Sequence, residues 1–222
     1  ASHSGAPQQL GSNSDWQSFD RAFEEAYINT RGFALGCTVV VMDADGIKHR
    51  RVFGTDREDQ IYCLFSTTKL VTTIACLQLR DRGLLSLDDP VSKHLASFQC
   101  SRPLDDGTDD SHTSTSTITI RHCLNHTSGL SYYWMDPPHI TSPAEKVWGH
   151  RMLSEDLNCG LDNGEVVDDF WSRCPSLFEP GEHYNYAGGH CVVAAIIEKL
   201  SGLSLASYLE AHIFGPLGMH DT

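Results

Sequence analysis

The 222-residue sequence is short of several things, and each absence removes a class of function. No apolar run approaches the about 18 residues that a membrane-crossing helix requires, so no stretch reads as one. Basic residues number 16 against 29 acidic ones, giving a net charge of −13. A surface of that sign repels phosphate backbones and anionic lipid, so neither nucleic acid nor a membrane is expected as a partner. The eight cysteines, at 37, 63, 76, 100, 123, 159, 174 and 191, include no Cys-x-x-Cys pair, and no zinc framework is expected. Cys37, Cys63, Cys76 and Cys123 fall among apolar neighbours, where a free thiol acts as a small hydrophobe. A reducing, cytoplasmic compartment follows as the expectation, and the even count leaves disulfides open. The stretch Ala1–Gln9 has neither the basic flank nor the apolar centre of a signal peptide. No Met stands at position 1, so residues ahead of Ala1 are expected. No internal repeat is visible.

What is present is ordinary globular composition, 40% hydrophobic and 20% charged, long enough for one large domain or two small ones. Residues 1–13 read as a polar, disordered tail. Ser14, with Gln17 three residues later, opens a helix whose apolar face is Trp16, Phe19, Phe23 and Tyr27. Residues 36–42 form a β-branched strand, 43–46 a turn and 47–53 the returning strand. A helix runs from Lys69 to about Arg82, with Gly83 as its stop. Residues 84–91 form a loop that leads to a short apolar turn near Leu95. Residues 100–116 are a polar surface loop, and Thr119 caps a short helix that ends at His126–Gly129. Further helices are expected over 143–154, over 187–200 with Gly202 as stop, and from Ser204 to Phe214, with 155–175 irregular.

The chemistry concentrates in Ile61–Val71. Ser66 stands where an apolar run turns into a helix, and Lys69 follows at i+3, on the same face one turn on. Serine is a weak nucleophile until a base takes its proton, and a lysine amine within reach can serve. The helix N-terminus offers backbone N–H donors where an acyl oxyanion would develop. The bland alternative is an N-cap serine followed by a solvated lysine. His122 and His126, four apart, could face one metal, but no H-E-x-x-H pattern accompanies them and a structural role is favoured. Of His183 and His190, which flank Tyr186, a surface position is expected. Tyr132, Tyr133 and Trp134 read either as the lining of an acyl pocket or as packing under their loop.

Five ordered stretches together resemble one family: Phe65-Ser-Thr-Thr-Lys69, Gly83–Val91, Ile118–Leu130, Pro180–Tyr186 and Ile213–Met219. This is the serine β-lactamase and D,D-peptidase superfamily on its class C side. Within it the resemblance is nearest to family VIII carboxylesterases and to fungal acyltransferases of the lovastatin-pathway type. It covers roughly residues 16–222. It implies an α/β (α+β) fold, an antiparallel sheet flanked by helices plus an all-helical region. It also implies that residues 14–222 are the N-terminal part of a single domain, whose remaining central strands would come from a further segment or a second chain. The implied activity is that of a serine hydrolase or acyltransferase on a small ester or thioester, without cofactor or metal. Ser66 is then the nucleophile, Lys69 its base partner and Tyr186 the second base or acid, with Tyr132, Tyr133, Trp134 and Gly188 on the substrate side. β-Lactamases and peptidases usually carry a carboxamide two residues after that tyrosine; here the position is Gly188, which favours esters over amides. The alternatives are an amide-cleaving β-lactamase or D,D-peptidase, and a non-catalytic relative kept for binding or assembly.

Overall fold

The computed structural model describes residues 13–30, 36–96, 98, 101–103, 111–113, 117–130 and 176–222. The 1–13 tail (all but Asn13), the expected 143–154 helix and the irregular 155–175 stretch lie outside these residues. The chain divides into two compact units, Ala1–Cys63 and Leu64–Thr222.

In the first unit, α1 (Asn13–Phe23) continues as one π-helical turn, Glu24–Ile28. It starts one residue ahead of the expected cap, so Ser14 lies in its first turn. The strands β1 (Gly36–Asp43) and β2 (Gly46–Gly54) pair antiparallel from Gly36↔Gly54 to Asp43↔Gly46, with a bulge at Val41/Met42. Gly46 sits at φ 116°, a conformation that L side chains rarely adopt. The Asp45 N–H donates to Asp43 Oδ1 at 2.9 Å and closes the turn locally. The aromatic face of α1 packs as read: the Phe23 ring lies 4.9 Å from buried Phe53, and Trp16 stacks flat on His49 at 4.6 Å.

In the second unit a 3₁₀ turn, Phe65–Thr67, runs straight into α2 (Thr68–Asp81). Gly83, at φ 73°, ends the helix as expected, its N–H bonded to the Arg80 carbonyl at 2.8 Å. The turn Ser86–Asp89 leads into α3 (Val91–His94). Asp89 organises this turn: its carboxylate accepts from the Ser86 N–H at 2.9 Å and from Lys93 at 2.8 Å, and meets His94 at 3.0 Å. Within 100–116, read as a loop, the short strands β3 (Ser101–Pro103) and β4 (Ser111–Thr113) pair antiparallel. Helix α4 (Ile120–Leu124) opens on a reciprocal cap in which Thr119 and His122 each bond the other's backbone N–H. α4 closes at Leu124, so His122 and His126 do not share a helical face, and the i,i+4 metal reading loses its geometry. No group of three or more His, Cys, Asp or Glu poised for a metal occurs among the described residues.

The core is built on α5 (Gly189–Ser201), where Val192, Val193, Ile196 and Ile197 are fully buried. Against them pack Cys76 and Leu79 of α2, Ile120 and Cys123 of α4, and Tyr208. α5 stops at Gly202, φ 70°. Ser204 then caps α6 (Leu205–Leu209), which passes through a π-helical turn, Glu210–Phe214, into α7 (Gly215–Leu217). The expected single helix to Phe214 is thus two linked segments, and α7 continues past it. Cys76 and Cys123 are buried, as read, but Cys63 is exposed. Among the described residues no single helix is long and apolar enough to cross a membrane.

Candidate active site

Ser66 sits in the 3₁₀ turn ahead of α2, and the residue before it, Phe65, takes a left-handed conformation at φ 44°. For a residue with a side chain that conformation costs on the order of 1–2 kcal/mol. The turn leaves Ser66 exposed while Lys69, one turn into the helix, is half-buried. Lys69 Nζ lies 3.4 Å from Ser66 Oγ, as the i,i+3 spacing predicts. The structure adds Tyr186 from 120 residues away, its hydroxyl 2.6 Å from Ser66 Oγ. The Lys69 ammonium lies 4.7 Å from the centre of the Tyr186 ring. The three side chains therefore meet.

Tyr186 is held by the 126–130 segment. His126, at φ 62°, accepts the Asn185 N–H on its carbonyl at 2.8 Å and the Ala187 N–H on Nδ1 at 3.4 Å. Its ring lies 4.6 Å from the Tyr186 ring. One histidine thus grips the backbone on both sides of the tyrosine. Asn185 turns away from Ser66 and donates from Nδ2 to the buried Leu130 carbonyl at 2.9 Å. The Thr127 and Gly129 carbonyls each accept one more N–H from residues 177–181 at 2.8 Å. The motifs Ile118–Leu130 and Pro180–Tyr186 are two sides of one clamp. Gly188 is buried and forms the N-cap of α5. Gly189 follows it so tightly that an added Cβ would lie 2.5 Å from the Cys123 carbonyl oxygen.

The electrostatics follow from the same contacts. Hydrogen bonding to Lys69 and then to Ser66 holds the Tyr186 phenol below its ordinary pKa, because both favour the phenolate. Burial, and next the Lys69 charge, lowers the pKa of His126. His190, expected at the surface, is instead buried at 8% exposure; it lies in the second position of α5, turned inward onto α2. Burial lowers its pKa to about 4, aided by His126 and Lys69. Its Nδ1 is buried without a hydrogen-bond partner among the described residues. His183 is exposed, as read. Tyr132, Tyr133 and Trp134 lie outside the described residues. Sequence reasoning missed the gripping role of His126 and the burial of His190; only the adjacency of His190 to Gly188-Gly189, a close-packing signal, pointed inward.

A polarised hydroxyl, a phenol drawn toward phenolate and an adjacent ammonium can together move a proton off an oxygen and return it. Comparison with known proteins places the chain among enzymes of one family. The chain is 32% identical over 212 residues to Esterase EstB of Burkholderia gladioli, covering 91% of this chain and 50% of that one. It is 31% identical over 205 residues to monacolin J acid methylbutanoyltransferase of Aspergillus terreus, covering 84% and 46%. The unliganded simvastatin synthase of Aspergillus terreus superposes with a TM-score of 0.65 at 28% identity, over 91% of this chain and 51% of that one. The chain spans about half the length of these relatives and shares their fold, that of the serine β-lactamases, as far as it extends. The family described as Beta-lactamase matches residues 20–222, and the chain belongs to it.

Proposed function

We propose that this chain carries the nucleophile-bearing part of a serine esterase or acyltransferase acting on a small-molecule ester or thioester. The carrying observation is the meeting of Ser66 Oγ with the Tyr186 hydroxyl at 2.6 Å and Lys69 Nζ at 3.4 Å. Tyr186 as phenolate takes the Ser66 proton while Oγ bonds the acyl carbon and the carbonyl electrons move to oxygen. Collapse of that adduct breaks the carbon–oxygen or carbon–sulfur bond. The Tyr186–Lys69 pair delivers the proton to the departing alkoxide or thiolate. Water or an acceptor alcohol then repeats the two steps in reverse and frees Ser66. The relatives include an esterase and an acyltransferase, which supports either fate of the acyl group. Gly188, in the position where amide-cleaving relatives carry a carboxamide, favours the ester.

Residues 14–222 are, on this reading, the N-terminal part of one catalytic domain, completed by a further segment or a second chain. A reducing, cytoplasmic setting is part of this reading: Cys76 and Cys123 are buried in the apolar core, where a cysteine packs as a small hydrophobe. Tyr132, Tyr133, Trp134 and Gly188 are the proposed substrate-side residues. The test is intact-mass measurement after treatment with a fluorophosphonate. One adduct is expected on the wild type and none on Ser66→Ala; a folded, full-length protein that takes no adduct overturns the assignment.

A further inference from the structure

Behind Lys69 and Tyr186 lies a buried side chain that the acyl-transfer steps do not use. His190 Nε2 is 3.2 Å from Thr73 Oγ1, which is itself 2.7 Å from the main-chain carbonyl oxygen of Lys69. A carbonyl oxygen only accepts, and a threonine hydroxyl has one proton to give. That proton goes to Lys69, so Nε2 must carry a hydrogen and donate it to Thr73. The buried ring is neutral near neutrality, so Nδ1 is then a bare acceptor. That Nδ1 is buried and unpartnered among the described residues. An apolar side chain in this place would carry no such unpaired acceptor, so packing alone does not account for an imidazole here. What the imidazole supplies and an apolar residue cannot is the Nε2–H donated to Thr73. It supplies this without adding charge beside the Lys69 ammonium. The other imidazole facing it, His126 at 5.1 Å between ring centres, is likewise drawn toward its neutral form.

We propose that His190 and Thr73 are positioning residues for the Ser66–Lys69–Tyr186 group. Their hydrogen bond ties α5, which begins three residues after Tyr186, to α2 one turn past Lys69. The tie holds the ammonium and the phenol at the separation that both need to reach Ser66 Oγ. It rests on the proposed function above. Relay groups must stay within a fraction of an ångström of their working geometry, and a displacement of about 1 Å costs about a hundredfold in rate.

The experiment measures turnover of an activated aryl ester and the limiting rate of fluorophosphonate labelling, on the full-length protein. His190→Leu and Thr73→Val are each expected to lower kcat and the labelling rate by about tenfold to a hundredfold with KM unchanged. His190→Gln places an amide N–H where Nε2–H stood, and Thr73→Ser keeps the hydroxyl; both are expected to restore most of the rate. The double variant His190→Leu/Thr73→Val is expected to be no slower than the worse single one, because one bond is lost once. Wild-type kcat in His190→Leu, or a loss that Gln does not restore, overturns the tie. If His190→Leu does not fold, Thr73→Val and His190→Gln decide alone. Should the wild type take no label, the nucleophile assignment fails and the positioning role falls with it. The geometry is still read separately by long-range ¹H–¹⁵N spectra of the histidine rings. A neutral Nε2–H tautomer for His190 supports the hydrogen bond, and an Nδ1–H tautomer overturns it.

Discussion

Tyr186 is the residue whose chemistry depends most on what surrounds it. Its phenol is drawn toward phenolate by Lys69 and Ser66, so the base form gains population at lower pH than in a free tyrosine. Labelling of Ser66 is therefore expected to rise with pH along a limb whose midpoint lies below the ordinary phenol value of about 10. In Lys69→Met the stabilising ammonium is gone, and the limb should move up toward that ordinary value. Tyr186→Phe should remove the limb and slow labelling by about a hundredfold or more. A limb that stays in place in Lys69→Met would detach Lys69 from the phenol. Ser66 and Lys69 were legible in the sequence because i,i+3 spacing on a helix is a local property. Tyr186 was legible only through resemblance, since nothing local to Asn185-Tyr-Ala187 reports a serine 120 residues away. His190 was misread for the same reason. Its burial comes from α2, not from its neighbours in the chain.

At the scale of elements, the glycines at the two ends of α5, Gly189 within it and Gly202 just past it, separate two kinds of constraint. Gly189 has no room: an added Cβ would lie 2.5 Å from the Cys123 carbonyl oxygen and 2.8 Å from its Cα, both backbone atoms that cannot swing aside. Gly202 has open space, with nothing within 4 Å, but stands at φ 70°. Gly202→Ala is expected to cost about 1 kcal/mol from conformation alone and to leave labelling unchanged. Gly189→Ala is expected to cost about 1–3 kcal/mol by forcing α5 off α4. It should also slow labelling, because Tyr186 lies three residues upstream on the displaced segment. Urea unfolding and labelling rates on the two variants test this; equal labelling would uncouple the α4–α5 contact from the site. The hairpin, α2, the cap at Thr119 and both glycine stops were legible because each rests on a local rule. The π-helical turns at Glu24–Ile28 and Glu210–Phe214 were not. They change the hydrogen-bond step without changing the apolar period. β3 and β4 escaped because three-residue strands in polar sequence leave no alternation to read.

For the molecule as a whole, burial and ion pairing set how it responds to acid. His190, His126 and His122 all have lowered pKa values, chiefly through burial. Below about pH 6.5 the unfolded chain takes up protons at these rings while the folded one resists, so stability falls with pH. For His190 the window runs from about 6.5 down to about 4, and its full effect is on the order of 3 kcal/mol. A second decline begins near the ordinary aspartate value of about 3.9. Asp89, bonded to Lys93 and to the Ser86 N–H, and Asp88, bonded to Arg121, are held below the usual carboxylate range, and their contributions disappear as they protonate. Urea midpoints measured at intervals from neutrality downward should thus fall in two stages. His190→Leu should flatten the first stage and leave the second, whereas Asp89→Asn should flatten the second and leave the first. The net charge of −13 works against the second stage only in part, since protonating carboxylates also relieves repulsion among the 29 acidic residues. A slope between pH 6.5 and 4 that His190→Leu does not change would mean that the ring is not buried neutral in solution. The ring would then donate to Thr73 as an imidazolium and set a second positive charge near Lys69, so this measurement on the whole molecule also bears on a single proton beside Lys69.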